Sequence, residues 1–549
     1  MEYMKEYRRW LENPLVDDAT KEELKKLSPE EIKECFYTDL EFGTGGLRGI
    51  MSSGTNRMNI YTVRKATQAL ASDILSSDSG NAQSGVVIAY DSRNNSKLFA
   101  LECASVLSAN GIKCYMFDSL RPTPELSFAV RYLNCYRGIV ITASHNPKEY
   151  NGYKVYGEDG GQIPPDVSDK ISQLIKDTDI FDDVKITLNP DTIIIGEDVD
   201  KAYIESIKKE SLGTKIPDDF SVVYTPLHGA GNIPVRRILS EIGVKNLHVV
   251  PSQEKPDGNF PTVKSPNPEN KEAFDLAIEE AGKIGADLII GTDPDSDRIG
   301  VVVKGMCGSY RVLNGNQTGV LLSEYILRKT KEKGMPKNSK IVKTIVTTEM
   351  VRDIAKEYDV ETVDVLTGFK YIGDKIKEFE ITDDHFLFGL EESYGYLKGT
   401  YARDKDAVVS SMLICELAAE CKANGISLYE KLEKLYAYYG YYLEKLLNYN
   451  FEGLVGKQKI NSIMEKFRLL PPIKSEVKRI DYLTGIGTLP KSNVLKFILT
   501  DGWIAVRPSG TEPKIKFYIA SRAYSLPECE SKISCLTEFI NNVVKKEEL

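Results

Sequence analysis

One stretch of the sequence decides the fold class: IVITASHNP, residues 139–147. It begins with apolar, β-branched residues typical of a buried strand and ends in small and polar residues before Pro147. A strand cannot continue through a proline, because proline lacks an N–H and has a fixed φ. The pattern therefore predicts that the hydroxyl of Ser144 lies on a tight loop at a strand end, where open α/β sheets usually build their sites. The alternative is an ordinary solvated turn.

A second loop, GTDPDSDR at residues 291–298, lies between two apolar runs that indicate buried strands. Three aspartates alternate in it: Asp293, Asp295 and Asp297. Their carboxylates would repel one another unless a cation lay between them, and oxygen ligands suit Mg²⁺ or Ca²⁺. An EF-hand is excluded, because Arg298 and Lys304 stand where that loop has its glycine and glutamate. Three carboxylates leave coordination positions of the ion open for a phosphate oxygen, which favours Mg²⁺. The alternative is a solvated acidic turn without a metal, but Arg298 adds an anion-binding group to the loop.

Two further loops carry groups that suit a sugar phosphate, although each could also be a plain surface turn. In GLEESYGY, residues 389–396, Glu391 and Ser393 offer the acceptors and the donor that sugar hydroxyls need. In RPSGTEPK, residues 507–514, an arginine, a lysine, two hydroxyls and a glycine indicate a phosphate cradle. Its members are Arg507, Ser509, Gly510, Thr511 and Lys514.

Composition narrows the class of protein. The chain has 549 residues, enough for about three or four domains, and its net charge of −9 argues against a nucleic-acid partner. Nine cysteines without a CxxC pair indicate reduced thiols in the cytoplasm. The first ten residues are too charged for a signal peptide, and no apolar run approaches the ~18 residues of a membrane helix. We therefore expect a cytoplasmic protein with no membrane partner.

The order of predicted elements divides the chain into five parts. Strands and helices alternate through three units of similar size, in each of which a strand ends at a functional loop. The last part has a predicted hairpin around Asp501-Gly502, another strand and a terminal helix, as in a small α+β domain. The predicted parts are a helical extension at 1–40, with a helix start at Ser28, α/β domains at 41–200, 201–315 and 316–445, and the α+β domain at 446–549.

The four loops occur in an order that resembles the α-D-phosphohexomutase superfamily, and most closely its phosphoglucomutase-2-like branch. The resemblance runs from about residue 41 to about residue 518. FGTGGLRG at 42–49 is similar to the family's N-terminal Gly-Thr-x-Gly-Leu-Arg segment, and TGFK at 367–370 to its Thr-Gly-x-Lys loop. GTYARDKD at 399–406 resembles the segment that carries a lysine of the catalytic site.

The resemblance implies a heart-shaped, four-domain α/β enzyme with mixed sheets in its first three domains and a central cleft. It implies an isomerase that interconverts glucose 1-phosphate and glucose 6-phosphate, with a phosphoserine at Ser144 and glucose 1,6-bisphosphate as intermediate and activator. Mg²⁺ would be held by the three aspartates and a phosphate oxygen on Ser144. The implied catalytic residues are Ser144, His145, Arg48 and Lys405. The implied substrate-binding residues are Lys154, Arg298, Thr367, Gly368, Lys370, Glu391, Ser393, Arg507, Ser509, Gly510, Thr511 and Lys514.

Several alternatives stay open at this point. Arg48, His145 and Lys405 are candidates either for proton transfer or for stabilising charge in the transition state, and His145 could instead only orient its loop. The same branch includes phosphopentomutases and glucose 1,6-bisphosphate synthases, and phosphomannomutase activity is a further alternative. A non-catalytic sugar-phosphate sensor would not need the nucleophile and the three aspartates that this chain keeps. The assembly could be a monomer or a homodimer.

Overall fold

Four β-sheets follow one another along the chain in the computed structural model of this protein, each with its own helices. The structure describes residues 2–43, 45–77, 80–305, 308–451, 453–487, 489–509 and 514–548. The first three sheets mix parallel and antiparallel pairs, whereas the fourth is antiparallel throughout. This confirms the prediction of three mixed α/β units and a C-terminal α+β unit. The exact domain limits stay a prediction.

Three short helices precede the first sheet: α1 (Glu2–Glu12), α2 (Asp18–Leu24) and α3 (Pro29–Phe36). Ser28 caps α3, since its hydroxyl accepts from the backbone N–H of Glu31 while that glutamate accepts from the N–H of Ser28. This reciprocal capping confirms the helix start predicted there. The extension is fastened to the rest of the chain by Trp10, which is fully buried among aromatic rings.

The first sheet carries the serine loop. Its strand order is β1-β5-β4-β2-β3-β6, and the central strands β2, β3 and β4 are parallel. Every residue of β2 and β4 is buried, because helices cover both faces of a parallel sheet. The elements are β1 (Gly46–Ile50), α4 (Ile60–Ser77), α5 (Asn81–Ser84), β2 (Val86–Tyr90), α6 (Ser96–Ala109), β3 (Cys114–Phe117), α7 (Thr123–Tyr132), β4 (Arg137–Ile141), β5 (Tyr150–Tyr156), α8 (Pro165–Asp177), β6 (Thr192–Ile195) and α9 (Glu197–Lys209).

The second sheet carries the aspartate loop between β9 and β10, which pair antiparallel. Its order is β11-β10-β9-β7-β8, with β7, β8 and β9 parallel. The elements are β7 (Ser221–Thr225), α10 (Asn232–Glu241), β8 (Asn246–Val249), α11 (Pro251–Glu254), a 3₁₀ turn (Lys271–Phe274), α12 (Asp275–Ile284), β9 (Leu288–Thr292), β10 (Ile299–Lys304) and β11 (Tyr310–Leu313).

The third sheet carries the predicted sugar loop between β14 and β15, in the order β13-β12-β14-β15. Strand β12 ends at Thr344, although the apolar residues Ile345 and Val346 follow, because the Thr344 hydroxyl accepts from the N–H of Val346 and starts a turn. The elements are α13 (Gly315–Lys333), β12 (Ser339–Thr344), α14 (Met350–Glu357), β13 (Glu361–Val365), α15 (Lys370–Phe379), β14 (His385–Glu391), β15 (Gly395–Lys398), α16 (Ala407–Ala423) and α17 (Leu428–Tyr439).

The fourth sheet has the order β16-β20-β19-β18-β17, and β18 and β19 form the hairpin predicted around Asp501-Gly502. One of its faces packs through Trp503 and Tyr518 on Ile345 and Leu366 of the third unit. The elements are β16 (Tyr441–Asn450), α18 (Gly453–Leu469), β17 (Glu476–Asp481), a 3₁₀ turn (Tyr482–Thr484), β18 (Leu495–Leu499), β19 (Gly502–Pro508), β20 (Lys514–Ala523) and α19 (Leu526–Glu548). Within the part of the chain that the structure describes, no helix is long and apolar enough to cross a membrane.

The packing of Trp10 yields a stability prediction. Its ring lies 5.1–5.6 Å, centroid to centroid, from those of Phe36, Tyr61 and Phe181. Trp10→Ala should lower the free energy of unfolding of the first unit by about 3–5 kcal/mol, because it leaves a cavity among these rings. Leu15→Ala is the control, since this side chain is 60% exposed, and it should change the value by less than ~0.5 kcal/mol. Urea unfolding followed by circular dichroism measures both, and equal midpoints would contradict the prediction.

Candidate functional site

Ser144 lies where the sequence predicts it, on a buried loop after β4. Its backbone has a left-handed conformation, with φ of 51°, which is uncommon for a residue other than glycine. The Ser144 hydroxyl donates to Oδ2 of Asp293 at 2.6 Å and lies 3.2 Å from Nδ1 of His145. The serine and aspartate loops, 149 residues apart in sequence, therefore meet at this hydroxyl.

The three aspartates of the second loop form a buried cluster. One carboxylate oxygen of each lies within 4.8 Å of those of the other two. Asp293 is fixed by the backbone, because its Oδ1 accepts from the N–H groups of Asp297 and Arg298 at 3.1 and 3.0 Å. Ser296, between the second and third aspartates, has a left-handed φ of 51° that keeps the turn tight.

Two lysines contact this cluster from other parts of the chain. Lys154 of β5 donates to Asp295 at 2.8 Å and lies 3.5 Å from Asp297. Lys405, in the loop between β15 and α16, lies 2.8 Å from Asp297 and 3.3 Å from Asp404. Burial by itself would lower the pKa of either lysine, but the aspartates raise both values, so both side chains are ammonium ions at neutral pH.

The cluster still fits a divalent cation. The lysines engage Oδ2 of Asp295 and of Asp297, whereas Oδ1 of each is buried with no hydrogen-bond partner in the described residues. The pKa of Asp293 is raised well above its usual value, first by burial and then by the charges of Asp295 and Asp297. Unpartnered oxygens and residual repulsion leave room for more positive charge, and an all-oxygen donor set suits a hard ion such as Mg²⁺.

His145 and Arg48 lie beside the serine. The pKa of His145 is held well below its usual value, first by burial and then by the charges of Arg298 and Arg48, so its ring is neutral. Arg48, on β1, donates to the side-chain oxygen of Asn146 at 3.0 Å. His145 is also held by the second unit, because Ser265 donates to its carbonyl oxygen at 2.7 Å. The structure thus brings both predicted residues to the serine loop.

Glu391 ends β14 next to these cations. Burial raises its pKa to about 7, and the charges of Lys405 and Arg298 offset only part of that effect. Its side chain also bonds Ser393, so the two residues predicted to hold sugar hydroxyls lie together. Glu392 turns away from them, since its carboxylate accepts from Thr344 at 3.0 Å. The predicted anion-binding residue Arg298 donates to Glu269 at 2.6 Å.

The remaining predicted residues lie at the junction of the third and fourth units. Thr367 and Gly368 precede α15, where Gly368 has a φ of 116° that other residues rarely adopt. Lys370 begins α15, and its buried ammonium has no hydrogen-bond partner in the described part of the chain. Its pKa is lowered chiefly by burial and further by the charge of Arg507, which places the two cations near each other.

The phosphate cradle is described only in part. Arg507 lies near the end of β19 and Lys514 at the start of β20, and the N–H of Ser509 bonds the carbonyl of Lys514 at 2.8 Å. Gly510 and Thr511 lie outside the described residues. Arg507 and Glu391 both influence the pKa of Tyr518, so the cradle lies close to the sugar loop.

Sequence reasoning missed three residues that support the serine loop. Thr142 accepts the N–H of Ser144 at 2.8 Å and donates to Asp91 at 2.6 Å. The fully buried Arg93 donates to carbonyl oxygens of the serine loop. The available signal was the polar Asp-Ser-Arg run after β2, since β2 and β4 are parallel neighbours and their carboxyl ends share one edge of the sheet.

Models of the phosphoglucomutase/phosphomannomutase domains match four consecutive segments of the chain. The alpha/beta/alpha domains I, II and III match residues 39–180, 201–308 and 314–439, and the C-terminal domain matches residues 458–525. The chain belongs to the phosphoglucomutase/phosphomannomutase family. This confirms the resemblance drawn from the loops.

Individual members of the family match nearly the whole chain. A phosphoglucomutase of Staphylococcus epidermidis is 40% identical over 526 residues, which cover 92% of this chain and 95% of that protein. A phosphoglucomutase of Staphylococcus aureus is 39% identical over 552 residues, covering 96% and 97%. The crystal structure of a putative phosphomannomutase from Thermus thermophilus has the same fold, with a TM-score of 0.69, 22% identity, and coverage of 91% of this chain and 99% of that one.

The aspartate cluster yields a binding prediction. The protein should bind one divalent cation, because two buried carboxylate oxygens lack hydrogen-bond partners in the described residues, and burial and the charges of Asp295 and Asp297 raise the pKa of Asp293. Asp297→Asn should weaken Mn²⁺ binding, measured by isothermal titration, by more than the ~10-fold typical of losing an outer-shell partner. Asp218→Asn is the control, since that carboxylate is 83% exposed. If the wild type shows no saturable binding, Lys154 and Lys405 alone neutralise the cluster.

Proposed function

We propose that this protein is a Mg²⁺-dependent isomerase that interconverts glucose 1-phosphate and glucose 6-phosphate through a phosphoserine at Ser144 and a glucose 1,6-bisphosphate intermediate. The observation that carries the proposal is the Ser144 hydroxyl, 2.6 Å from a cluster of three buried aspartates and beside a neutral histidine. A nucleophile next to a site for a hard cation suits phosphoryl transfer, which depends on positioning and charge stabilisation. The names of the relatives that are about 40% identical support glucose phosphates as the substrates.

In the first half of the cycle, the phosphoryl group would pass from Ser144 to the free hydroxyl of a glucose monophosphate. The P–O bond to Ser144 breaks, a P–O bond to the sugar forms, and the proton of the sugar hydroxyl must leave. Glu391 suits that proton, because its pKa of about 7 lets it gain and lose a proton near neutrality. The product at this stage is glucose 1,6-bisphosphate.

The serine oxygen also needs a proton as it leaves, and must lose one when it attacks in the second half. His145 suits this exchange, since its neutral ring lies 3.2 Å from the hydroxyl. Lys405 and Lys154 do not suit it, because the aspartates keep them protonated, and we assign them to charge stabilisation. We assign the same task to Arg48, which contacts the serine loop by donating to the side-chain oxygen of Asn146.

Mg²⁺, held by Asp293, Asp295, Asp297 and a phosphoryl oxygen on Ser144, would neutralise charge on the group in transfer. The sugar hydroxyls would bind Glu391 and Ser393, and Arg298 would bind an anionic oxygen of the substrate. The phosphate that does not react would bind the cradle, together with the Thr-Gly-x-Lys loop: Thr367, Gly368, Lys370, Arg507, Ser509, Gly510, Thr511 and Lys514.

The bisphosphate must turn around before it returns its other phosphate to Ser144. The cradle must therefore accept either phosphate, with the sugar in either orientation. Two hydroxyls and a phosphate are the features common to both orientations, so Glu391, Ser393 and Arg507 can serve both halves of the cycle. Bulk water must stay out meanwhile, because it would hydrolyse the phosphoserine.

The preference for glucose is tested by the rates of one preparation with glucose 1-phosphate, mannose 1-phosphate and ribose 1-phosphate. We expect the highest kcat/KM with glucose 1-phosphate. A higher value with ribose 1-phosphate would make the protein a phosphopentomutase, and one with mannose 1-phosphate a phosphomannomutase. A cytoplasmic location also belongs to this proposal, since the eight described cysteines are free thiols, as a reducing compartment keeps them. The oligomeric state, a monomer or a homodimer, stays a prediction.

The nucleophile gives the most direct test. Ser144→Ala should reduce mutase turnover to background, because the variant lacks the hydroxyl that would carry the phosphoryl group. Intact-mass analysis should find a phosphate-sized addition on the wild type and none on the variant. Ser206→Ala is the control and should leave turnover unchanged, because the Ser206 hydroxyl donates to the Ala202 carbonyl within α9. Substantial turnover by Ser144→Ala would remove this residue from the mechanism.

The cradle gives a test that separates binding from chemistry. The guanidinium of Arg507 can hold a phosphate through two parallel hydrogen bonds, which a lysine cannot reproduce. Arg507→Lys should therefore raise KM by the equivalent of about 1.5–3 kcal/mol and increase the glucose 1,6-bisphosphate released to solution. Arg522→Lys, on the same sheet but 53% exposed and paired with Asp353, is the control. Unchanged KM and unchanged release would mean that Arg507 does not hold the distal phosphate.

A further inference from the structure

Arg93, in the loop after β2, is inserted under the serine loop. Its side chain is fully buried. One terminal nitrogen, Nη2, donates to the carbonyl oxygens of Ser144 and Asn146, and the other, Nη1, to those of Pro147 at 2.9 Å and Tyr150 at 3.1 Å. One guanidinium thus holds four carbonyls between the nucleophile and the start of β5.

Asp91, the ion-pair partner of Arg93, helps to hold the backbone N–H of Ser144. Nε of Arg93 lies 3.3 Å from Oδ2 of Asp91, and both side chains are fully buried. The same oxygen accepts from the Thr142 hydroxyl at 2.6 Å, and Thr142 in turn accepts the N–H of Ser144 at 2.8 Å. The carbonyl and the N–H of Ser144 are therefore both fixed by this one ion pair.

Such support is needed because the backbone of Ser144 is strained. A left-handed φ, here 51°, brings the Cβ of a residue close to the following carbonyl oxygen and is unfavourable for any residue that has one. A change to the extended region would turn the hydroxyl away from Asp293, which it now meets at 2.6 Å. The arginine holds the carbonyls in the arrangement that goes with the strained conformation, and so keeps the hydroxyl directed at the aspartates.

Two residues of the second unit lie next to this arginine and the serine loop. The ring of Phe260 lies 5.1 Å from the guanidinium carbon, and Ser265 donates to the carbonyl of His145 at 2.7 Å. The hydrogen bond from the guanidinium to the Ser144 carbonyl is buried, so losing it would leave that carbonyl without a donor. No other described side chain donates to these four carbonyls.

We propose that Arg93 is a positioning residue for phosphoryl transfer: it sets the direction and reach of the Ser144 oxygen without touching the substrate. This inference rests on the proposed function. A lysine at this position keeps the charge but not the planar fork that spans four carbonyls. The chemical step should therefore suffer while substrate binding, which uses other residues, is retained.

The test compares Arg93→Lys with Arg137→Lys. Arg137 is also buried in the first sheet and is paired with Asp73 at 3.3 Å, but its partners among the described residues, Asp73 and Tyr136, lie outside the serine loop. We expect Arg93→Lys to lower kcat roughly 100-fold, as a displacement of about 1 Å can do, with KM changed less than about twofold. Arg137→Lys should lose comparable thermal stability and keep its kcat. The phosphorus NMR shift of the phosphoserine should change only in Arg93→Lys.

The outcomes separate the two proposals. A wild type that turns over no glucose 1-phosphate overturns the proposed function and this inference with it. An active wild type, with Arg93→Lys and Arg137→Lys equal in kcat and in phosphorus shift, overturns the role of Arg93 alone. If Arg93→Lys does not fold, Asp91→Asn decides, because it keeps the side-chain shape but removes the charge that holds Nε of Arg93. An unchanged kcat and an unchanged phosphorus shift in Asp91→Asn would then overturn the proposal.

Discussion

Repulsion among three buried carboxylates is the constraint on which the site depends. Asp293, Asp295 and Asp297 lie together without solvent, and such a cluster is stable only with positive charge and donors around it. These come from different units of the chain: Lys154 from the first sheet and Lys405 from the third. Residues of the first three units therefore meet at the aspartate loop, where their charges balance one another.

The same balance sets the protonation of the neighbouring groups. The chain carries a net charge of −9, yet arginines and lysines crowd this site. Arg298 and Arg48, together with burial, keep the His145 ring neutral, while burial outweighs the nearby cations at Glu391 and brings its pKa to about 7. A neutral imidazole and a carboxyl group near its midpoint can both exchange protons, whereas the lysines beside them cannot. One arrangement therefore supplies fixed charge for anionic substrates and two groups able to move protons.

The sequence was sufficient to predict the loops of the site, but not the side chains that support them. Apolar runs that stop at polar residues predicted the ends of β4 and β9. The helix start at Ser28 could be predicted because its capping partner, Glu31, is only three residues away in the sequence. Arg93 was not recognised, because its partners lie 51 to 57 residues further along the chain and are backbone carbonyls, which leave no mark in the sequence. Strand β12 ends earlier than its apolar run, since a threonine hydroxyl competes for the backbone there.

The two ends of the site are built differently. At the reacting end, Ser144 and Ser296 both have left-handed backbones, and such strain persists only where surrounding contacts hold it. At Ser144 those contacts come from Thr142 and Arg93 of the same unit, and at Ser296 the carbonyl accepts from the N–H of Ala407 in the third unit at 3.2 Å. At the distal end, burial lowers the pKa of Lys370, the carboxylates of Asp374 and Asp169 oppose that effect, and the like charge of Arg507 adds to it. In the proposed function, a phosphate bound between Arg507 and Lys370 would lessen the repulsion of these two cations and so stabilise the distal end, whereas the geometry at Ser144 is already held by the protein alone.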